Sequence, residues 1–267
     1  MSALAQRGSV RGSLLGWLAG SVLRIRRAQV EAALARAGIA RPSDVARAMY
    51  RRLGISLVEW LRARAAPSLA EADRAALDAA LAEGPVVIFA SHCGNWELAA
   101  AAAAAHLRDH DRALHVVAKP MHSAFFHRWL ARVRERLGVR VIAPGGALAA
   151  ASAALAKGDV VAMPIDQVPD REAHGVWLDF LGAPALVDRA PATVALRAGA
   201  TVVVVAGGHV LDVIPPSRSR DREAREATMR RATAALERHI QQDPADWMWL
   251  HRRWKRPPSL VPAPRAE

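Results

Sequence analysis

Residues 85–107 read PVVIFASHCGNWELAAAAAAAHL, and the fold turns on them. The run Val86–Ala90 is short, continuous and apolar, the signature of a strand buried on both faces. The alanine-rich stretch from Trp96 onward is helical. Between them, Gly94 permits a sharp turn, Asn95 suits an N-cap, and Glu97 falls in the first helical turn. In open α/β sheets ligands gather at the carboxyl ends of strands, which is where this reading puts His92. His92 and Glu97 are five residues apart, so they share no helix face. Across a strand-to-helix turn, however, the two side chains can meet. The carboxylate then fixes the imidazole tautomer, raises its basicity and stabilises the imidazolium. The alternative reading makes Asn95 and Glu97 plain helix-start residues and His92 a satisfied polar side chain.

Outward from this unit the chain alternates. Upstream, "SLAEADRAALDAALAEGP" is a helix with Ser68 and Glu71 as a capping box, stopped at Gly84–Pro85. Downstream come strands "ALHVVA", "VRVIAP", "VVAMPID" and "TVVVVAG". They are separated by helical stretches "SAFFHRWLARVRERLG", "ALAAASAALAKG" and "APATVALRAGA", and "REATMRRATAALERHIQQD" follows as a long helix. Such alternation predicts an α/β fold with a mostly parallel central sheet flanked by helices. It is preceded by a basic N-terminal helical segment at the membrane interface. The expected organisation is 1–66 for that segment, 67–257 for the α/β domain, and 258–267 for a disordered tail. Ser43 or Asp44 is expected to cap the helix that runs to Trp60.

The formal net charge is +12, with 52% hydrophobic and 23% charged residues. Residues 1–64 carry twelve arginines against Glu31, Asp44 and Glu59. Partners compatible with this excess are an anionic bilayer, an acidic protein or nucleic acid. "GSLLGWLAGSVL" (12–23) spans about 18 Å as a helix, short of the ~30 Å hydrocarbon core. Leu14, Trp17, Leu18, Val22 and Ile25 form one stripe ending in Arg24, Arg26 and Arg27, a pattern for a helix lying in the interface. A buried helix and a signal peptide are the competing readings, and arginines at the would-be cleavage site oppose the latter. Cys93 is the sole cysteine, so no internal disulfide forms. Neighbouring strand residues point to opposite faces, which makes a Cys93–His92 dyad poor geometry. His106 and His110, four apart, can be joined by Asp111 at a metal, but the polyalanine helix before them favours solvated histidines. No metal site is assigned. "APGGA" reads as a turn rather than a phosphate cradle, and no Walker or dinucleotide glycine pattern is present.

The segments "SHCGNWELAA", "VAKPMHSAFFHRWLARVRERLGVRVI", "AMPIDQ" and "WMWLHRRWKRPP" together resemble the bacterial lipid A biosynthesis acyltransferases. These are the lauroyl and myristoyl transferases of the wider lysophospholipid acyltransferase-like group. The resemblance covers roughly residues 24–257. It implies a membrane-associated O-acyltransferase with His92 as general base and Glu97 orienting and stabilising it. The donor is an acyl thioester of acyl carrier protein or coenzyme A, the acceptor a glycolipid hydroxyl, and no cofactor is needed. It further implies substrate contacts from Asn95, Lys119, Arg134, Arg136, Asp166, Gln167, His251, Arg252 and Arg253. The expected location is the cytoplasmic face of the inner membrane, with no nucleic acid as partner. Lys119 stands where the family commonly has arginine, and a lysine cannot clamp a phosphate bidentately. Arg189 and Pro191 occupy a usually small-residue stretch. Both departures bear on the acceptor, for which a lysophospholipid or a phosphoinositide mannoside is the alternative. A non-catalytic basic module is a further reading, but residues 24–64 and 218–238 lack the aromatic interleaving of nucleic-acid surfaces.

Overall fold

A computed structural model of the chain describes residues 3–119, 124–143 and 145–255. The expected tail at 258–267 lies outside them. Helix α1 (Ala3–Trp17) continues into a π-helical turn (Leu18–Val22) and is followed by α2 (Arg27–Arg36) and α3 (Pro42–Arg62). The alternating part comprises α4 (Glu71–Glu83), β1 (Val86–Ala90), α5 (Trp96–Arg108), β2 (Leu114–Val117), α6 (Ala124–Arg136), β3 (Val139–Ile142), α7 (Ala147–Ala156) and β4 (Val160–Pro164). Then come β5 (Gly175–Phe180), β6 (Ala183–Asp188), α8 (Ala190–Ala198), β7 (Thr201–Ala206), β8 (His209–Ile214) and α9 (Arg222–Gln242).

Six strands form one sheet in the order β3-β2-β4-β1-β7-β8, parallel except for β8. The expected α/β architecture is therefore the observed one. Burial on both faces explains the unbroken apolar strands. Val87, Phe89, Val161, Met163, Val202 and Val204 join the core beneath α7, α8 and α9. Their alternate neighbours Val86, Ile88, Val160, Ala162 and Val203 pack with Leu77 and Leu81 of α4 and Leu107 of α5. Two antiparallel additions go beyond the sequence reading. β8 folds back on β7 through Gly207 and Gly208, both at positive φ (59° and 86°). β5 and β6 make a separate hairpin turned at Leu181–Gly182.

Two helix starts differ from expectation. α4 begins at Glu71 behind Ala70 rather than at a Ser68 capping box. Its first-turn Asp73 instead accepts from the Val210 amide (2.7 Å) and contacts His209 (3.1 Å), which ties the helix start to edge strand β8. α3 begins at Pro42, with Arg41 in the left-handed region. Proline needs no amide partner at the first helical position, so it takes the start there, and Asp44 serves in the first turn.

The N-terminal helices share the main core: Val30, Leu34, Met49 and Tyr50 cluster with Phe89 and Trp247. The Tyr50 hydroxyl donates to the Ile25 carbonyl. Helix α1 approaches α3 at backbone distance through Gly12 and Gly16, four apart, and Gly20 in the turn after it lies against the Tyr50 side chain. A Cβ on Gly16 would lie 2.1 Å from the Tyr50 carbonyl oxygen, and one on Gly54 would lie 2.2 Å from the Gly12 carbonyl. Small residues at this spacing let helix backbones touch. With the glycine face turned to α3, the apolar side chains face outward. Val10, Leu14, Trp17, Val22, Leu23 and Ile25 are all exposed, Leu14 by 61% and Leu23 by 63%. Among the described residues no helix is long and apolar enough to cross a membrane.

Candidate active site

β1 and β4 are adjacent and parallel, with Ala90 opposite Pro164, so the residues following each strand emerge side by side. His92 follows β1 and Asp166 follows β4. Both Asp166 oxygens are engaged from the His92 side: Oδ1 lies 2.9 Å from His92 Nδ1, and Oδ2 accepts from the His92 amide at 2.8 Å. Oδ2 also accepts from Trp247 Nε1 at 2.9 Å. Asp166 is 1% exposed, and three donors satisfy it in the interior. Burial alone would raise its pKa, but the charge and hydrogen bonds of His92 hold it well below the usual carboxylate range. An ionised carboxylate only accepts, so Nδ1 of His92 carries the proton and Nε2 carries the lone pair. For His92, burial is the largest single influence and disfavours the imidazolium. Asp166, by charge and hydrogen bond, together with the charge of Glu97, reverses that and leaves the pKa raised.

The carboxylate that orients His92 is thus Asp166, where the sequence reading placed Glu97. Asn95 caps α5 as expected, its Oδ1 accepting from the Leu98 amide (3.3 Å). That start sends Glu97 to Arg134 of α6, which grips both its oxygens at 2.5 and 2.9 Å. Glu97 therefore acts on the imidazole through its charge. The pair is a bidentate, half-buried bridge, and its guanidinium forms part of the cleft wall.

His92, Trp96, Glu97, Lys119, Arg134 and Gln167 line a cleft of about 770 Å³. Lys119, bridged to Asp170 at 2.8 Å, and Gln167 also line a wider neighbouring cleft of about 1220 Å³. That second cleft is bordered by Arg171, His174, Gly146 and Pro191. On the other side of Trp96 lies an apolar cavity of about 670 Å³, floored by Ala99, Ala100 and Ala103 of α5 and closed by Leu77, Val203 and Val210. It shares Ala90, Ser91, Trp96, Ala100 and Ala162 with the His92 cleft.

The remaining expected residues divide. Segment 246–248 pairs with 92–94: the Gly94 amide donates to the Asp246 carbonyl (2.9 Å) and the Met248 amide to the His92 carbonyl (2.9 Å). This brings the His251 ring to 4.6 Å from the His92 ring, edge to face. Burial lowers the His251 pKa to about 4, so the ring is neutral beside His92. Arg253 is 2% exposed, and donates to the carbonyls of Gln167 (3.1 Å) and Leu186 (3.0 Å). It locks the C-terminal motif to the hairpin rather than reaching the cleft. Arg252 bonds Gln29, Arg136 bonds the Ala63 carbonyl, and Asn95 Nδ2 reaches α3 at Ser56 and Glu59. Arg252, Arg136 and Asn95 line none of these cavities. Arg189 donates to the Ala173 carbonyl and faces Glu226. Cys93 is fully buried, and burial pushes its thiol pKa up, away from nucleophile chemistry. Trp247 and Trp96 are site residues the sequence reading did not single out. Their signal was position: Trp96 opens the helix after His92, and Trp247 opens the C-terminal tryptophan cluster.

A parallel sheet thus carries a carboxylate-held histidine at a strand end, beside a polar cleft that shares part of its lining with an apolar cavity. The chain matches the family model "Bacterial lipid A biosynthesis acyltransferase" over residues 9–256, and it belongs to that family of acyltransferases. A comparison with curated protein sequences found no match.

Proposed function

We propose that the protein moves a fatty acyl chain from an acyl carrier protein or coenzyme A thioester to a hydroxyl of a glycolipid such as a lipid A precursor. One observation carries the reading: His92 Nδ1 is bound to a buried, ionised Asp166, which leaves Nε2 as a base beside the cleft. In the reaction Nε2 takes the acceptor hydroxyl proton as the oxygen attacks the thioester carbonyl. The carbon–sulfur bond then breaks, and the imidazolium returns its proton to the leaving thiolate. The apolar cavity behind Trp96 suits the acyl chain, and the cleft bordered by Lys119, Arg171 and His174 suits an anionic acceptor headgroup. No covalent acyl-enzyme is required.

The test is transfer from labelled acyl carrier protein and coenzyme A thioesters of several chain lengths. Acceptors are a tetraacylated lipid A precursor, lysophospholipids and a phosphoinositide mannoside. An acylated glycolipid as main product supports the reading, and a lysophospholipid or mannoside product moves the acceptor to the alternative class. Thioester hydrolysis alone, with every acceptor refused, would sink it.

The exposed apolar residues of α1 and the following turn, with Arg24 and Arg26 beside them, support peripheral docking on the anionic cytoplasmic leaflet. Leu14→Asp combined with Leu23→Asp is expected to abolish flotation with anionic vesicles while the circular dichroism spectrum stays unchanged. Undiminished flotation of the folded double variant would remove α1 from the docking surface.

A further inference from the structure

At the end of the sheet remote from His92, three side chains converge on one point. His106, in the last turn of α5, places Nε2 2.6 Å from Oδ1 of Asp78 on α4. His110, just beyond α5, places its Nε2 3.1 Å from the same oxygen. The two rings stand edge to face with centroids 4.9 Å apart, and one ligand atom from each of the three residues lies within 4.8 Å of the others. The carboxylate comes from α4: Asp111, the acid that sequence spacing offered as a possible third ligand, lies at positive φ in the turn after α5 and is not part of the group.

We propose that Asp78, His106 and His110 form a divalent transition-metal site, with Zn²⁺ as the best-fitting ion, that clips α4 to the end of α5. Two histidines four apart form a recurrent zinc chelate, and here the last turn of α5 and the turn after it bring both Nε2 atoms to the same carboxylate oxygen. Zinc bonds of about 2.0–2.2 Å set neighbouring tetrahedral ligands roughly 3.4 Å apart. The present spacings of 2.6 and 3.1 Å need to open by less than about 1 Å to admit the ion. Water fills the fourth position, since His110 and Asp78 are each 40% exposed at the side chain. Imidazole and carboxylate ligands favour zinc, nickel or copper over magnesium and calcium. Two other clusters of this kind occur among the described residues, and both are worse candidates. His92, Asp166 and His251 form the candidate active site itself, and Cys93, His239 and Asp246 rely on a fully buried thiol that burial makes harder to ionise. α4 and α5 flank β1 in sequence and cover the same face of the sheet, so a clip between them braces the strand that delivers His92.

The test uses full-length, tag-free protein freed of metal with a chelator, then titrated with Zn²⁺ against a chromophoric competitor. The expected result is one ion per chain with a dissociation constant of about 1 µM or tighter. Melting is expected to rise by about 5 °C at a hundredfold excess over that constant. His110→Gln, at an exposed position, is expected to keep the fold, to weaken binding at least tenfold and to remove the thermal shift. Co²⁺ is expected to give intense visible bands of tetrahedral geometry in the wild type and to lose them in the variant. Absence of stoichiometric binding, or binding and thermal shift unchanged in His110→Gln, overturns the site.

Discussion

His92→Ala loses at least about 10³-fold in acyl transfer while the protein remains folded, the share expected of a positioned general base. That is about 4 kcal/mol of transition-state stabilisation. The fold tolerates the change for a stated reason. The contacts that hold residues 92–94 are mainly backbone ones, to Asp246, Met248 and, through the residue 92 amide, Asp166. Truncation of the ring leaves Asp166 with two donors instead of three, at a cost of about 1–3 kcal/mol. The apolar cavity proposed for the acyl chain has no lining from His92 and is untouched, so the loss is expected on kcat rather than KM. The measurement is transfer kinetics beside a thermal melt; a folded His92→Ala variant working within tenfold of wild type refutes the general-base mechanism.

The second large effect separates the two carboxylates. Asp166→Asn keeps the shape but removes the charge that fixes the Nδ1–H tautomer and stabilises the imidazolium. It also turns one acceptor into a donor that faces either Trp247 or His92. The expected loss is about 10²- to 10⁴-fold, the scale on which an orienting carboxylate matters to a histidine base. The pH profile carries the sign. Wild-type His92 has its pKa raised above the ordinary imidazole value of about 6.5, and it works only when neutral, so kcat/KM rises with pH through a limb above that value. Without the Asp166 charge, burial dominates and the imidazolium is less stable. The limb of Asp166→Asn therefore moves to lower pH even as the plateau falls. Glu97→Gln is expected to move the limb less, because Glu97 makes its hydrogen bonds to Arg134. A larger displacement for Glu97→Gln than for Asp166→Asn would return the orienting role to Glu97.

How much of this was legible in the sequence depends on the range over which each signal acts. The turn at residues 91–97 was readable because its determinants are local. A strand must end before Gly94, Asn95 can cap only the helix beside it, and His92 is then left at the strand end. The hairpin joining β7 to β8 was equally local, since Gly207–Gly208 between two apolar runs is a tight-turn signal. It was missed because the α/β alternation led from β7 straight to the long helix. The glycines at 12, 16, 20 and 54 also carried a packing signal, with spacing that suits close helix contact. Their partner, by contrast, lay in a separate helix.

The sequence by itself determined the sheet class, the helix that follows His92, the place of His92 just past a strand end and the outward apolar stripe near the N-terminus. Each follows from hydrophobic period, turn chemistry or side-chain type within some twenty residues. Only the tertiary structure decided which carboxylate binds His92. Asp166 is 74 positions away from His92 and reaches it because β1 and β4 are neighbours in a strand order that chain order does not reveal. The same holds for Glu97 going to Arg134, for Arg253 being drawn into the interior, and for Asp78 meeting two histidines at the end of α5. Pairings of this kind depend on which elements become adjacent, and adjacency is fixed by packing the whole core.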